Sequence, residues 1–127
     1  MEVKYLFKSD ITALCKIYAD RERFEEYFKE PFVRGLICEE GSQNLGYIFW
    51  ETIDGKVEIL NIRVTEKRKG IGRFLISEME EKPISRGDWN VDARVPETDL
   101  DTQLFFREVG YIGSDTKDGY YLFNKVI

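Results

Sequence analysis

The sequence predicts a mixed α+β fold: a central, mostly antiparallel sheet of about seven strands with about four helices, in the order β-α-α-β-β-β-α-β-α-β-β. Three observations point to it. Short runs of apolar residues alternating with polar ones recur along the chain, as strands packed on a core require. Asp54-Gly55 separates two such runs in the manner of a two-residue hairpin, and Asp118-Gly119 marks a turn between the last two. After Val64 the apolar spacing changes from that of a strand to that of a helix across a glycine turn, which is how a chain leaves one strand and crosses to a parallel neighbour. The 127 residues suit one domain spanning 1–127, a size that buries roughly two thirds of the unfolded surface.

Val3 to Phe7 reads as the first strand. Ser9 or Asp10 then caps a helix with Ile11, Leu14, Cys15 and Tyr18 on its apolar face. A second short helix carries Phe24, Tyr27 and Phe28 at i, i+3 and i+4 before Pro31 stops it. Three strands follow, Val33 to Glu39, Leu45 to Thr52 and Lys56 to Val64, forming an antiparallel meander. A helix from Gly70 places Ile71, Phe74, Leu75 and Met79 on one face and ends before Pro83. Trp89, Val91, Ala93 and Val95 alternate as a fifth strand closed by Pro96, and a helix from about Thr102 to Val109 ends at Gly110. Two last strands lie around Tyr111 and from Tyr120 to Val126. The only strand–helix–strand crossover expected is the one at the glycine turn. In the fourth strand Val57 and Ile59 share one parity while Leu60, Ile62 and Val64 share the other. Either a bulge near Ile59 and Leu60 or burial of the strand on both faces accounts for this.

Nine Phe, seven Tyr and two Trp supply a packed core and argue against disorder. No stretch has the pattern of a secretory signal or the length of an apolar membrane span, so a cytoplasmic location with no membrane partner is expected. Cys15 and Cys38 read as buried free thiols. The absence of histidine excludes a His-based triad and a His-ligated zinc site, and no metal is expected. A net charge of −5 disfavours general nucleic-acid binding and would draw in a cationic substrate.

Residues 63–73 run against that acidic background. Arg63, Lys67, Arg68, Lys69 and Arg73 against Glu66 alone give a local balance of +4, leaving −9 for the remainder. Positive charge gathered on Gly70 and Gly72 at a helix start suits a phosphate group, because the unbonded N–H groups and the helix dipole point the same way. The turn lacks the Gly-Lys-Ser/Thr ending of the Walker loop, and Phe74 and Leu75 stand where a dinucleotide fingerprint needs its third glycine. Lys67-Arg-Lys-Gly-Ile-Gly72 resembles instead the coenzyme A signature of the GNAT superfamily of N-acetyltransferases, Gln/Arg-x-x-Gly-x-Gly/Ala, with Lys67, Gly70 and Gly72 at the signature positions. Leu104-Phe-Phe-Arg-Glu-Val-Gly-Tyr111 is similar to that family's later motif, Leu-Tyr-x-x-x-Gly-Phe, and the element order resembles the family's over essentially the whole chain. Glu58 to Val64 is also similar to the fourth strand of the branch that acetylates protein N-termini, which includes the ribosomal-protein alanine acetyltransferases.

The resemblance implies acetyl-CoA as cosubstrate and a primary amine as acceptor, the amine attacking the thioester directly, and it is compatible with a homodimer. It implies cofactor contacts from Ile62, Arg63, Val64, Lys67, Arg68, Lys69, Gly70, Ile71, Gly72 and Arg73, and from Asp99, Thr102 and Phe106 in the later motif. Asp99 and Thr102 stand where the family often has Asn and Ala. Val64 lies five residues before Gly70, about two fewer than is usual in the family, so whether Ile62 or Val64 meets the pantetheine arm stays open. The position that in many members is a proton-donating tyrosine is Phe106; Tyr111, Tyr120 and Tyr121 are the candidates to replace it. An amine is mostly protonated near neutral pH, so a carboxylate base is needed. Glu58 is the candidate, since the family often places such a group on this strand and its apolar sequence neighbours would make it a stronger base. Asp20 to Phe32 falls where the family builds the acceptor-side wall, with charges near balance. A non-catalytic acyl-coenzyme-A-binding module and a small interaction protein are the alternatives.

Overall fold

The computed structural model describes residues 1–84 and 90–127, with the side chains of residues 83, 84 and 115 excepted. The strands are β1 (Glu2–Tyr5), β2 (Val33–Glu40), β3 (Gln43–Ile53), β4 (Lys56–Val64), β5 (Asn90–Pro96), β6 (Ile112–Lys117) and β7 (Tyr120–Val126). The helices are α1 (Ile11–Cys15), α2 (Arg21–Lys29), α3 (Ile71–Ile84) and α4 (Leu100–Glu108). The strands form one sheet in the order β1-β2-β3-β4-β5-β7-β6, and every neighbouring pair is antiparallel except β4 and β5. The element order is the expected one. Both Asp-Gly hairpins form with positive φ at each central residue, 51° and 75° at Asp54-Gly55 and 54° and 83° at Asp118-Gly119, the twist that two-residue hairpins need.

Several expectations are corrected. β1 ends at Tyr5, because the chain turns at Phe7 into a short 3-10 segment, Lys8–Asp10. Asp10 does not cap α1; its carboxylate accepts the backbone N–H of Phe7 at 2.8 Å and closes that segment instead. Tyr18 lies beyond the last turn of α1. The helix expected to end before Pro83 runs through it to Ile84. A second crossover exists: β5, α4 and β6 also make a strand–helix–strand unit, with β7 folded back by the Asp118-Gly119 hairpin into the place between the two strands. Trp89 lies outside the described residues.

The sheet carries a core on each face. On one, α3 and α4 cover Ile48, Trp50, Val57, Ile59, Val91 and Phe123. On the other, α1 and α2 cover Ile37, Tyr47 and Phe49. Leu75, Ile76 and Met79 are buried, and each such side chain contributes roughly 1.5–3 kcal/mol, so α3 is pinned to the sheet along its length and its first turn is held in a fixed place. The phase change in β4 is a bulge. Phe49 faces Asn61 and Trp50 faces Ile59, which leaves Leu60 as the extra residue. Val57 and Ile59 before it, and Ile62 and Val64 after it, pack on the α3 face, while Leu60 packs on the α1 and α2 face.

Candidate functional site

The bulge coincides with a fork in the sheet. Among the described residues β4 and β5 pair from Lys56↔Asn90 to Ile59↔Ala93, and beyond that β4 runs on to Val64 while β5 runs on to Pro96 against β7. On its other side β4 stays bonded to β3, where the N–H of Thr65 reaches the carbonyl of Leu45 at 3.0 Å. Bonding alternates along an antiparallel pair, so Arg63 and Thr65 turn their backbone groups to β3 and Ile62 and Val64 turn theirs toward the fork. Both residues left open by the sequence therefore present main-chain donors and acceptors there.

The glycine turn stands at the open end of this fork. Gly70 has φ of 78°, a conformation that disfavours other residues, and a Cβ there would meet nothing within 4 Å. Gly72 is required for a different reason: a Cβ on it would lie 2.9 Å from a ring carbon of Phe105 in α4. The carbonyl of Gly70 accepts the first helical bond, from Phe74 at 3.0 Å, so the N–H groups of Ile71, Gly72 and Arg73 are left without partners inside α3 and point out of its N-terminus. Ile71 buries its side chain in the core and can offer a ligand only its amide. Among the described residues Lys67 alone of the five cations is ion-paired, to Asp101 at 3.6 Å with both groups well exposed. A depression of about 300 Å³ adjoins the turn; its wall carries two carboxylates, Glu40 and Glu66, as well as Lys69, Leu45, Thr65 and Ile71.

The structure does not bring all the expected residues together. Arg63 is separated from the other four cations: its guanidinium lies over the Tyr18 ring, 5.4 Å from the centroid, on the α1 and α2 face. Asp99 and Thr102 are engaged with each other, the carboxylate accepting the Thr102 N–H at 3.1 Å and its hydroxyl at 2.7 Å, which caps α4. Phe106 is buried against Tyr111, Phe105 and Phe123 and offers no proton. Tyr111 is no replacement, because it is buried and donates to Glu80 at 3.2 Å; burial and that carboxylate push its phenol far above the usual range. Tyr121 packs against the α3-side core, and Tyr120 is exposed. Cys38 is buried, which pushes its thiol up, and Cys15 is only half-buried, being on the rim of the α1 face; both are free.

Glu58 stands on the α1 and α2 face at the root of the fork, in the last pairs before β4 and β5 part. The apolar surroundings expected for it are absent. Its carboxylate is 41% exposed and accepts an ion pair from Arg94 at 3.1 Å, because the side chains of Val57 and Ile59 point to the opposite face of the strand. Arg94 is not marked by any sequence motif; the alternation of Val91, Ala93 and Val95 places it on the Glu58 face, but the parallel register that makes them neighbours is not local information. The same holds for Asn61, whose amide donates to the Tyr47 hydroxyl at 3.0 Å beside Tyr27 and Arg63.

Burial pushes the Tyr47 phenol up to about 12, against partial relief from Arg63 and Asn61. Its ordinary value near 10 applies to the unfolded chain, so the stability this group confers is whole below about pH 10 and is lost as pH rises toward about 12, a total on the order of 3 kcal/mol. Tyr47→Phe is expected to shrink the alkaline loss of stability by about that amount in urea unfolding between about pH 9 and 12; parallel curves for the two proteins would contradict it.

No protein-family model and no curated protein matches the chain by sequence. Solved structures match it over its whole length. A PaiA N-acetyltransferase from Thermoplasma acidophilum, crystallised with coenzyme A, is 19% identical with a TM-score of 0.81, covering 100% of both chains. The ribosomal-protein-S18-alanine N-acetyltransferase from Escherichia coli is 14% identical with a TM-score of 0.85, covering 99% of this chain and 93% of its own. A Bacillus subtilis acetyltransferase in complex with coenzyme A is 14% identical with a TM-score of 0.78, covering 99% and 98%. The chain has the GNAT acetyltransferase fold. No described helix is long and apolar enough to cross a membrane, and among the described residues no group of three or more His, Cys, Asp or Glu is placed to hold a metal ion.

Proposed function

We propose that this chain, one domain with the GNAT fold, is an N-acetyltransferase that moves an acetyl group from acetyl-CoA to a primary amine on a small molecule or a protein. The observation that carries this is the fork: β4 parts from β5 at the Leu60 bulge, and its open end meets an unbonded helix N-terminus among four cations. The site fits coenzyme A. The amides of Ile71, Gly72 and Arg73 with Lys67, Arg68 and Lys69 would hold the pyrophosphate, while the main chain of Ile62 and Val64 would bond the pantetheine arm as a third strand edge. A strand edge with no partner is the natural seat for an extended amide-bearing chain.

The cosubstrate supplies an acyl carbon activated by its thioester. The acceptor ammonium would give one proton to the Glu58 carboxylate; the freed nitrogen lone pair forms the C–N bond as the C–S bond breaks with its electron pair on sulfur, and the second proton lost from nitrogen ends on the departing thiolate as free thiol. A thiol of pKa about 8.5 is a tolerable leaving group, so Phe106 in place of a phenol does not prevent turnover. The same residue favours a second reading, a coenzyme-A-binding module without catalysis. The two separate on release of free thiol from acetyl-CoA with a panel of amino acids, polyamines and N-terminal peptides. Thiol release with an acceptor supports the transferase; binding without release supports the module. Acetyl-CoA at 100 times its dissociation constant should stabilise the fold by about 2.7 kcal/mol, and no stabilisation would overturn both.

A further inference from the structure

We propose that Arg94 is an anion site for the acceptor, and that the acceptor is a zwitterion of the α-amino-acid class; this rests on the transferase reading and names its substrate. Glu58 and Arg94 form an ion pair at the root of the fork, 3.1 Å apart, with 41% and 67% of their side chains exposed. They are the last residue of this face before the β4 bulge and the first of β5 beyond the parallel ladder, so the pair sits where the strands separate. Two further carboxylates share the neighbourhood. Asp92 lies beside Glu58 in the parallel register but is held by the Asn124 amide at 2.6 Å, and Glu51 faces Glu58 from β3. Of these three acids the guanidinium selects Glu58.

The pair engages Oε1 of Glu58; an amine that passes its proton to this carboxylate neutralises it and, alone, leaves the Arg94 cation without its anion beside the reacting centre. A ligand that carries its own carboxylate next to its ammonium exchanges one pair for two: ammonium on Glu58, carboxylate on Arg94, in the planar two-bond geometry that guanidinium favours. The closeness of the protein's charges sets the closeness of the ligand's. An α-amino acid has its two charges one carbon apart and matches; a long ω-amino acid, a polyamine or a peptide N-terminus does not present that pair.

The experiment compares free α-amino acids with their carboxamides and with long ω-amino acids, on the full chain, by thiol release from acetyl-CoA and by equilibrium binding to the protein saturated with coenzyme A. The expected result is a preference for the free amino acid over its amide of at least about tenfold in both readouts, with Arg94→Gln bringing that ratio close to one. Equal or better use of the amides by the native protein, no binding of any amino acid, or an unchanged ratio in Arg94→Gln would overturn it. Thiol release with a ratio of one would leave the transferase reading standing and this inference refuted. A binding ratio as expected with no thiol release from any acceptor would refute the transferase reading and with it the acceptor role, leaving Arg94 as an amino-acid binding site alone.

Discussion

Gly70→Glu weakens acetyl-CoA binding by about 100-fold or more, close to 3 kcal/mol, while the chain still folds. The backbone at Gly70 sits at φ of 78°, so any side chain there costs on the order of 1–2 kcal/mol of strain. A Cβ meets nothing within 4 Å, so no core contact is disturbed and the added carboxylate projects from the rim of the turn. Its effect falls on the ligand, because it sets a negative charge against a diphosphate held by the first amides of α3. Gly70→Asn separates the two costs: asparagine tolerates the left-handed conformation and adds no charge, so most of the affinity should remain. Calorimetric titration measures both. Equal affinity of Gly70→Glu and the native chain would mean that the diphosphate is not at this turn. Gly72 would be the wrong place for such a test, since even Gly72→Ala presses on the Phe105 ring and disturbs the packing of α4.

Glu58→Gln lowers kcat by about 10²–10⁴ with little change in acetyl-CoA affinity. The amide keeps the shape and a hydrogen bond toward Arg94 but cannot accept the acceptor's proton. The residue lies on the face opposite α3 and its N-terminus, so the cofactor turn does not feel the change. Turnover should depend on pH differently as well, with the limb that reports the essential base removed. A variant with native kcat and an unaltered pH–rate profile would take Glu58 out of the chemistry.

What could be read from the sequence was what local spacing determines. The two Asp-Gly hairpins, the helical spacing after Gly70 and the change of phase at Leu60 are all contained in a few consecutive residues, and the element order follows from them. Pairings between distant strands were not legible. β7 enters between β5 and β6, and the parallel register that sets Arg94 against Glu58 depends on where β4 and β5 meet, which no single stretch encodes. Asp99 and Thr102 teach a different lesson. Their spacing is that of a helix cap, and the structure engages both in one. Arg63 belongs by sequence to the cationic run, yet strand alternation turns its side chain to the other face. In the same way Gly70 and Gly72 look alike in a motif and differ in cause, one demanded by backbone conformation and the other by the nearness of an aromatic ring.

The most direct measurement is a titration of the isotopically labelled chain with coenzyme A, followed through its backbone amide resonances. The expected result is that the largest shifts fall on Ile71, Gly72 and Arg73 at the start of α3 and on Ile62 and Val64 at the open edge of β4. Shifts confined to other parts of the chain, or none at saturating coenzyme A, would contradict the proposal that the fork and the glycine turn together form the cofactor site.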